Sequence, residues 1–176
     1  EYYENGKLKF EGEYLNGNWN GKGKEYNNDE LEFEGEYLDG QRWNGKGKEY
    51  NNNEELKFEG EYLNGEWNGK GFGIEYYEDF ELEFEGEYLN GKKWNGKLKK
   101  FRTIFDDLEL MFEGEYLNGK KNGKGKEYEY GSLAFEGEYL NGERNGKGKE
   151  YDDYGKLVFE GEYLNEERNG KGKEIG

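Results

Sequence analysis

Leu8-Lys-Phe-Glu-Gly-Glu-Tyr-Leu-Asn-Gly17 recurs, barely altered, along the whole chain. Its Phe-Glu-Gly-Glu-Tyr centre begins at Phe10, Phe33, Phe58, Phe84, Phe112, Phe135 and Phe159, seven copies spaced 23 to 28 residues apart. A Leu stands two residues before each Phe, at Leu8, Leu31, Leu56, Leu82, Leu110, Leu133 and Leu157. Self-similarity at such a period marks a repeat array, in which each unit is one supersecondary element that buries its apolar face only against its neighbours.

Within a unit the alternation is strict. Leu8, Phe10, Gly12 and Tyr14 fall on one face, and Lys9, Glu11 and Glu13 on the other, the pattern of a half-buried strand. Asn16-Gly17 follows, and Asn5-Gly6 precedes; Asn-Gly is the strongest two-residue hairpin signal, because a type I′ turn needs positive φ at both central positions. After Asn20-Gly21, Gly21-Lys-Gly-Lys-Glu-Tyr26 reads as the returning strand, and later ones begin at Gly45, Gly69, Gly96, Gly123, Gly146 and Gly170. Two parities are open for it. With Gly21 and Gly23 on the aromatic face, Lys22 and Lys24 pair across the strands with Glu11 and Glu13, and aromatic rings lie over bare glycine backbone. The opposite parity places two lysines among the aromatics, and the first is preferred. Pro is absent, which suits a long antiparallel meander. The fold class expected is all-β: an elongated, single-layer, twisted antiparallel meander of successive β-hairpins, about 14 strands. Residues 1–7 read as the end of a preceding partial repeat. Residues 8–176 read as one array of seven repeats starting near 8, 31, 56, 82, 110, 133 and 157. An opening in mid-repeat leads us to expect a piece of something longer.

Composition narrows the function. Of 176 residues, 39% are charged and 31% hydrophobic, yet 18% are aromatic, and disordered chains lack aromatics. The apolar content is therefore concentrated at repeating positions, as a thin layer requires. Cys and His are absent, which removes disulfides, thiol and imidazole catalysis and the usual zinc sites. No apolar run approaches the about 18 residues of a membrane-spanning helix. Net charge is −16, with 42 acidic against 26 basic side chains. Nucleic acid and anionic lipid heads are repelled by such a surface, so neither is expected as a partner of the isolated array.

Tyr/Phe-x-Gly-x-Tyr-x-Asn-Gly followed by Asn-Gly-x-Gly resembles the MORN repeat (membrane occupation and recognition nexus), over essentially the whole chain. The resemblance implies an open sheet of hairpins whose aromatic side lines a groove. It also implies scaffolding, dimerisation or partner-helix binding, with a cytoplasmic or cytoskeleton-associated location. Phosphoinositide contacts are linked to the family, and the acidity here argues against them. Glu25, Glu49, Glu127 and Glu150 stand near positions where the family often has an aromatic.

The candidate partner-binding face is the aromatic one: Phe10, Tyr14, Phe33, Tyr37, Phe58, Tyr62, Phe84, Tyr88, Phe112, Tyr116, Phe135, Tyr139, Phe159 and Tyr163. The exposed aromatic side of a one-layer sheet would be a large apolar patch, and such patches mark interaction surfaces. Trp19, Trp43, Trp67 and Trp94 precede the second Asn-Gly of units one to four, where units five to seven have Lys121, Arg144 and Arg168. They form either a recognition strip, since Trp is enriched at interface hot spots, or caps on their own hairpins. In unit four Leu98 replaces the second Gly, and Arg102-Thr-Ile-Phe-Asp-Asp-Leu-Glu109 lengthens the next turn. Phe101, Ile104, Phe105 and Leu108 there either dock a partner or fold back over the groove. Phe72-Gly73 reads as a bulge, and Asn165-Glu166, without its turn glycine, as the end of the array or simple drift. The repeated Glu-Gly-Glu pairs read as a solvated charge ladder rather than a metal or acid–base site, since Lys stands close by in every unit. Gly-Lys-Gly lacks the loop and helix of a phosphate cradle.

No cofactor, metal or catalytic residue is expected. The sequence favours a non-enzymatic scaffold that binds a protein segment or itself, as a dimer or filament. Its rivals are a head-to-tail structural polymer and the targeting segment of a larger enzyme.

Overall fold

A computed structural model describes residues 1–105 and 107–176. Fourteen strands are hydrogen-bonded in chain order as one open antiparallel sheet, with no helix among the described residues. They are β1 (Phe10–Leu15), β2 (Asn18–Asn27), β3 (Glu30–Leu38), β4 (Gln41–Tyr50), β5 (Leu56–Leu63), β6 (Glu66–Tyr76) and β7 (Phe80–Leu89). Then follow β8 (Lys92–Ile104), β9 (Asp107–Leu117), β10 (Lys120–Glu129), β11 (Ser132–Leu140), β12 (Glu143–Tyr151), β13 (Leu157–Leu164) and β14 (Glu167–Glu174). The chain divides into two compact units, Glu1–Gly73 with Gly86–Lys92, and Ile74–Glu85 with Lys93–Gly176.

The preferred parity is the observed one. Phe10 opposes Glu25 and Gly12 opposes Gly23, while Glu11 opposes Lys24 and Lys24 in turn opposes Glu34. In the second unit Gly137 opposes Gly148 and Glu136 opposes Lys149. The paired glycines are required by close approach. A Cβ on Gly148 would lie 2.7 Å from the Phe135 ring and 2.9 Å from that of Tyr163, and one on Gly23 would lie 2.4 Å from Phe10. Each Phe ring thus lies flat against backbone where any other residue would hold it off.

Several boundaries differ from the sequence reading. The return strands begin directly after the first Asn-Gly, at Asn18 and its equivalents, not at Gly21 and its equivalents. Asn16-Gly17 makes the two-residue turn, with both φ positive (52° and 84°). The second Asn-Gly is a bulge inside the strand: Gly21 has φ 88°, and the next amide, of Lys22, donates to Glu13 Oε2 at 3.0 Å. The bulge repeats at Lys70–Glu61, Lys124–Glu115 and Lys147–Glu138. Asn5-Gly6 is not a type I′ turn either. Tyr3 and Lys7 close a three-residue loop in which Gly6 alone is left-handed, the other common hairpin solution. Against β5, Phe72 and Gly73 pair regularly with Glu59 and Phe58. Asn165-Glu166 still turns, at φ 49° and 71°, and β14 returns after it, so the missing glycine does not end the array.

The lengthened segment of unit four is not a loop. Phe101, Arg102, Thr103 and Ile104 pair with Leu110, Glu109, Leu108 and Asp107, carrying β8 and β9 outward as a longer hairpin. Leu98, opposite Gly114, is buried. Ile104, Phe105 and Leu108 remain exposed, so the hairpin does not fold back as a cover.

Gly148→Ala forces the Phe135 and Tyr163 rings off the backbone and should destabilise the chain by about 1–3 kcal/mol, the usual cost of overpacking. A urea titration followed by circular dichroism reads this as a lower midpoint.

Candidate functional site

The aromatic side is built from one module, used at each junction. Phe10, Phe33, Phe58, Phe84, Phe112, Phe135 and Phe159 are all 6% exposed or less. Each of the first six packs edge-to-face with the Tyr of the following repeat. Examples are Phe10–Tyr37 at 5.1 Å, Phe33–Tyr62 at 5.3 Å, Phe58–Tyr88 at 5.1 Å and Phe135–Tyr163 at 5.2 Å. Phe84–Tyr116 and Phe112–Tyr139 follow the same plan at 5.6 Å. Edge-to-face contact sets the positive ring edge on the negative face. The Tyr hydroxyl then donates to a carboxylate of the preceding unit: Tyr37 to Glu25 at 3.2 Å, Tyr62 to Glu49 at 2.9 Å, Tyr139 to Glu127 and Tyr163 to Glu150. The same four glutamates stand out in the sequence. Sequence reading noticed them without a role, because their partners lie in the next unit.

The outer sides of Phe10, Phe33, Phe58, Phe112, Phe135 and Phe159 are covered. Trp19 stacks on Phe10 at 4.2 Å and Trp67 on Phe58 at 4.4 Å, nearly parallel. Trp67 Nε1 donates to Glu49, and Trp19 Nε1 to Glu1, the equivalent residue of the partial repeat. In unit two the cover is Arg42, 5.2 Å over Phe33, with its Nε donating to Glu25. Lys121, Arg144 and Arg168 lie 3.8, 4.1 and 4.1 Å over Phe112, Phe135 and Phe159.

The four tryptophans are therefore not one row. Arg42 and Lys93 each stand one residue before a Trp, so an inserted residue shifts Trp43 and Trp94 out of the covering position. Arg42 pairs with Tyr37 where Trp19 pairs with Tyr14, and Lys93 bonds to Glu75. Burial also changes the reading of the aromatic face. The Phe rings, with Tyr37, Tyr62, Tyr88, Tyr139 and Tyr163, are enclosed by one another and by their covers. Tyr14, which receives no earlier Phe, is 49% exposed. The face is a closed internal spine, not the open apolar patch expected.

The junction of units four and five differs. Lys100 opposes Phe112, the place that Glu25 takes opposite Phe33. Its ammonium sits 4.4 Å over Phe80 instead. Burial holds the Lys121 ammonium of the same junction below the usual lysine range.

The opposite side carries the open space. In the second unit a trough of about 780 Å³ runs across the hairpins, floored by Gly114, Gly125, Gly137, Gly148 and Gly161. One wall reads Lys97, Glu115, Lys124, Glu138, Lys147, Glu162 and Lys171; the other reads Lys99, Glu113, Lys126, Glu136, Lys149 and Glu160. A trough of about 540 Å³ with the same plan, from Glu11 to Glu36, lies in the first unit. Glu115 and Glu138 are engaged by the bulge amides, and Glu113 and Glu136 accept from Tyr128 and Tyr151. Lys124, Lys147 and Lys171 form no ion pair among the described residues. No three carboxylates among the described residues converge to hold a metal ion.

The tyrosines predict an alkaline limit to stability. Burial, then the bond to Glu113 or Glu136, pushes Tyr128 and Tyr151 up to about 12. Burial and the neighbouring Glu raise Tyr37, Tyr62, Tyr139 and Tyr163 further. A folded value above the unfolded one of about 10 gives stability that is complete below pH 10 and lost as pH climbs through 12. In a spectrophotometric titration, tyrosinate absorbance from these six should therefore appear together with the loss of strand signal, not before it. Lys100→Glu should supply the missing carboxylate to Tyr116 and Lys121 and raise the urea midpoint, by about 1 kcal/mol for one added bond to a charged group less the lost Phe80 contact.

A family model for the MORN repeat matches residues 10–30, 58–79, 112–128, 135–156 and 159–176, together more than half of the chain. Every match begins at the Phe of Phe-Glu-Gly-Glu-Tyr. The copies at Phe33 and Phe84, outside these matches, are those with the inserted residue before Trp. No curated protein matches the chain. MORN repeats are in general interaction scaffolds, for proteins and for membranes. Repeat motif, register and ring packing agree: the chain belongs to the MORN repeat family.

Proposed function

We propose that the chain is a non-enzymatic scaffold that holds a segment of a protein partner in its glycine-floored troughs. The observation that carries this is the contrast between the two sides of the sheet. The aromatic spine is covered, whereas the trough has open volume and three lysines, Lys124, Lys147 and Lys171, without an ion pair among the described residues. Its walls alternate in sign from strand to strand, about 4.8 Å apart, so they suit a segment bearing both charges. A net charge of −16 favours protein over an anionic membrane surface. The carboxylates nearest the floor are held by backbone amides, which suits a fixed binding wall better than acid–base work.

The test is a triple variant, Lys124→Ala/Lys147→Ala/Lys171→Ala. Since these ammoniums make no ion pair, its unfolding midpoint should stay within about 0.5 kcal/mol of the parent. Affinity capture with cross-linking mass spectrometry should place partner cross-links on the trough lysines, and the variant should lose the captured species. Cross-links confined to Trp19, Arg42 and the other covering residues would move binding to the aromatic side and overturn the reading. Light scattering on the same sample separates a second copy from a different protein.

A further inference from the structure

We propose that the edge of the second unit formed by its inter-repeat turns binds an extended, arginine- or lysine-rich segment of a protein partner. This surface is separate from the trough. Four successive connections there carry an outward aromatic: Tyr77, then Phe105, Tyr130 and Tyr154, the last three 97%, 81% and 96% exposed. The corresponding connections of the first unit carry Asn28-Asp29 and Asn52-Asn53. Closing the chain therefore does not need aromatic residues.

Two of them are also costly to the backbone. Phe105 and Tyr130 sit at φ 48° and 49°, the value Asn28 takes at the same kind of turn. That region suits Asn and Asp and disfavours bulky side chains. Neither ring recovers the cost by burial, Tyr130 gaining only a contact with Arg102, and a strained residue left exposed points to use elsewhere. Each aromatic has exposed carboxylates beside it, at Asp79, Asp107, Glu129 and Asp153. A π-face next to a carboxylate is the chemistry that recognises a guanidinium or ammonium.

The chain supplies its own example. The Arg102 guanidinium lies 5.6 Å over the Tyr130 ring while donating to Glu109 at 2.6 Å. Successive turns on one edge are two strands apart, about 9–10 Å. An extended chain advances about 3.3 Å per residue, so cations at every third position match Tyr130 and Tyr154, with a longer spacing to Phe105, which the β8–β9 hairpin carries outward.

The test uses the full chain and a labelled Arg-Gly-Ser repeat peptide, with a Gln-Gly-Ser peptide as control, read by fluorescence anisotropy. The decisive variant is Phe105→Asn/Tyr130→Asn/Tyr154→Asn. It keeps every charge, and it places at each turn the residue the first unit uses, so its unfolding midpoint should hold or rise. The parent should prefer the arginine peptide, and the variant should weaken that binding about 10- to 30-fold, as three exposed cation–π contacts imply. Equal affinity of variant and parent would show that only the general acidity attracts the peptide, and would overturn the proposal. So would a parent that does not distinguish arginine from glutamine. Uptake of the parent on phosphatidylcholine vesicles, abolished in the variant and without peptide preference, would assign the row to a lipid surface instead. Loss of the trough lysines leaves this readout unchanged, so the two binding surfaces fail or succeed separately.

Discussion

A phenyl ring laid against two glycines is the contact on which this chain depends. Phe135 rests on Gly137 and Gly148, and Phe10 on Gly12 and Gly23. A sheet without a covering layer cannot bury a residue between two sheets, so it must bury one against its own backbone. Glycine makes that possible by removing the side chain that would stand between. The cost is conformational, since glycine loses more freedom on folding than any other residue. The gain is about 1.5–3 kcal/mol for each fully buried large apolar side chain. A single hairpin cannot balance those terms, whereas the tyrosine arriving from the next hairpin adds burial and a fixed geometry to the same ring.

Repetition then explains the polar chemistry. The Tyr hydroxyl reaches the buried side of the sheet and needs an acceptor, because an unpaired buried hydroxyl is costly. Glu25, Glu49, Glu127 and Glu150 provide it and in turn accept from Arg42, Trp67, Arg144 and Arg168, the three guanidiniums also neutralising the charge. Each carboxylate thus joins a tyrosine and a covering residue of the following unit. The linkage is directional, so the units add along the chain as a one-dimensional array. Where Lys100 replaces the glutamate, the same logic identifies a weaker joint.

With the aromatic side closed by its own packing, the recognition proposed above falls to the surfaces the packing leaves over. One is the trough, whose glycine floor is the reverse of the phenyl seat and whose walls are the Glu and Lys of the alternating positions. The other is the turn edge of the second unit, where aromatics stand outside the repeat plan. Both surfaces are built from positions that do not face the phenyl ring.

Much of this was legible in the residues alone. The recurrence of Phe-Glu-Gly-Glu-Tyr determined the repeat, the family and the strand alternation, because a period of two on a strand leaves few choices of face, whereas the pairing of Lys with Glu was one of two open parities that the register decided. The sequence could not decide where the rings would find cover. That depends on contacts between units about two dozen residues apart, and on bulges that move a residue from one face to the other. The inserted residue before Trp43 and Trp94 is one such shift: an evident row of four tryptophans in the sequence separates into two that cover Phe10 and Phe58 and two that do not. Glu127 and Glu150 had no visible role until Tyr139 and Tyr163 were brought beside them. Periodicity assigns each residue to a face, but burial and hydrogen bonding are settled by whichever neighbour the register delivers, and only the tertiary structure decides that register.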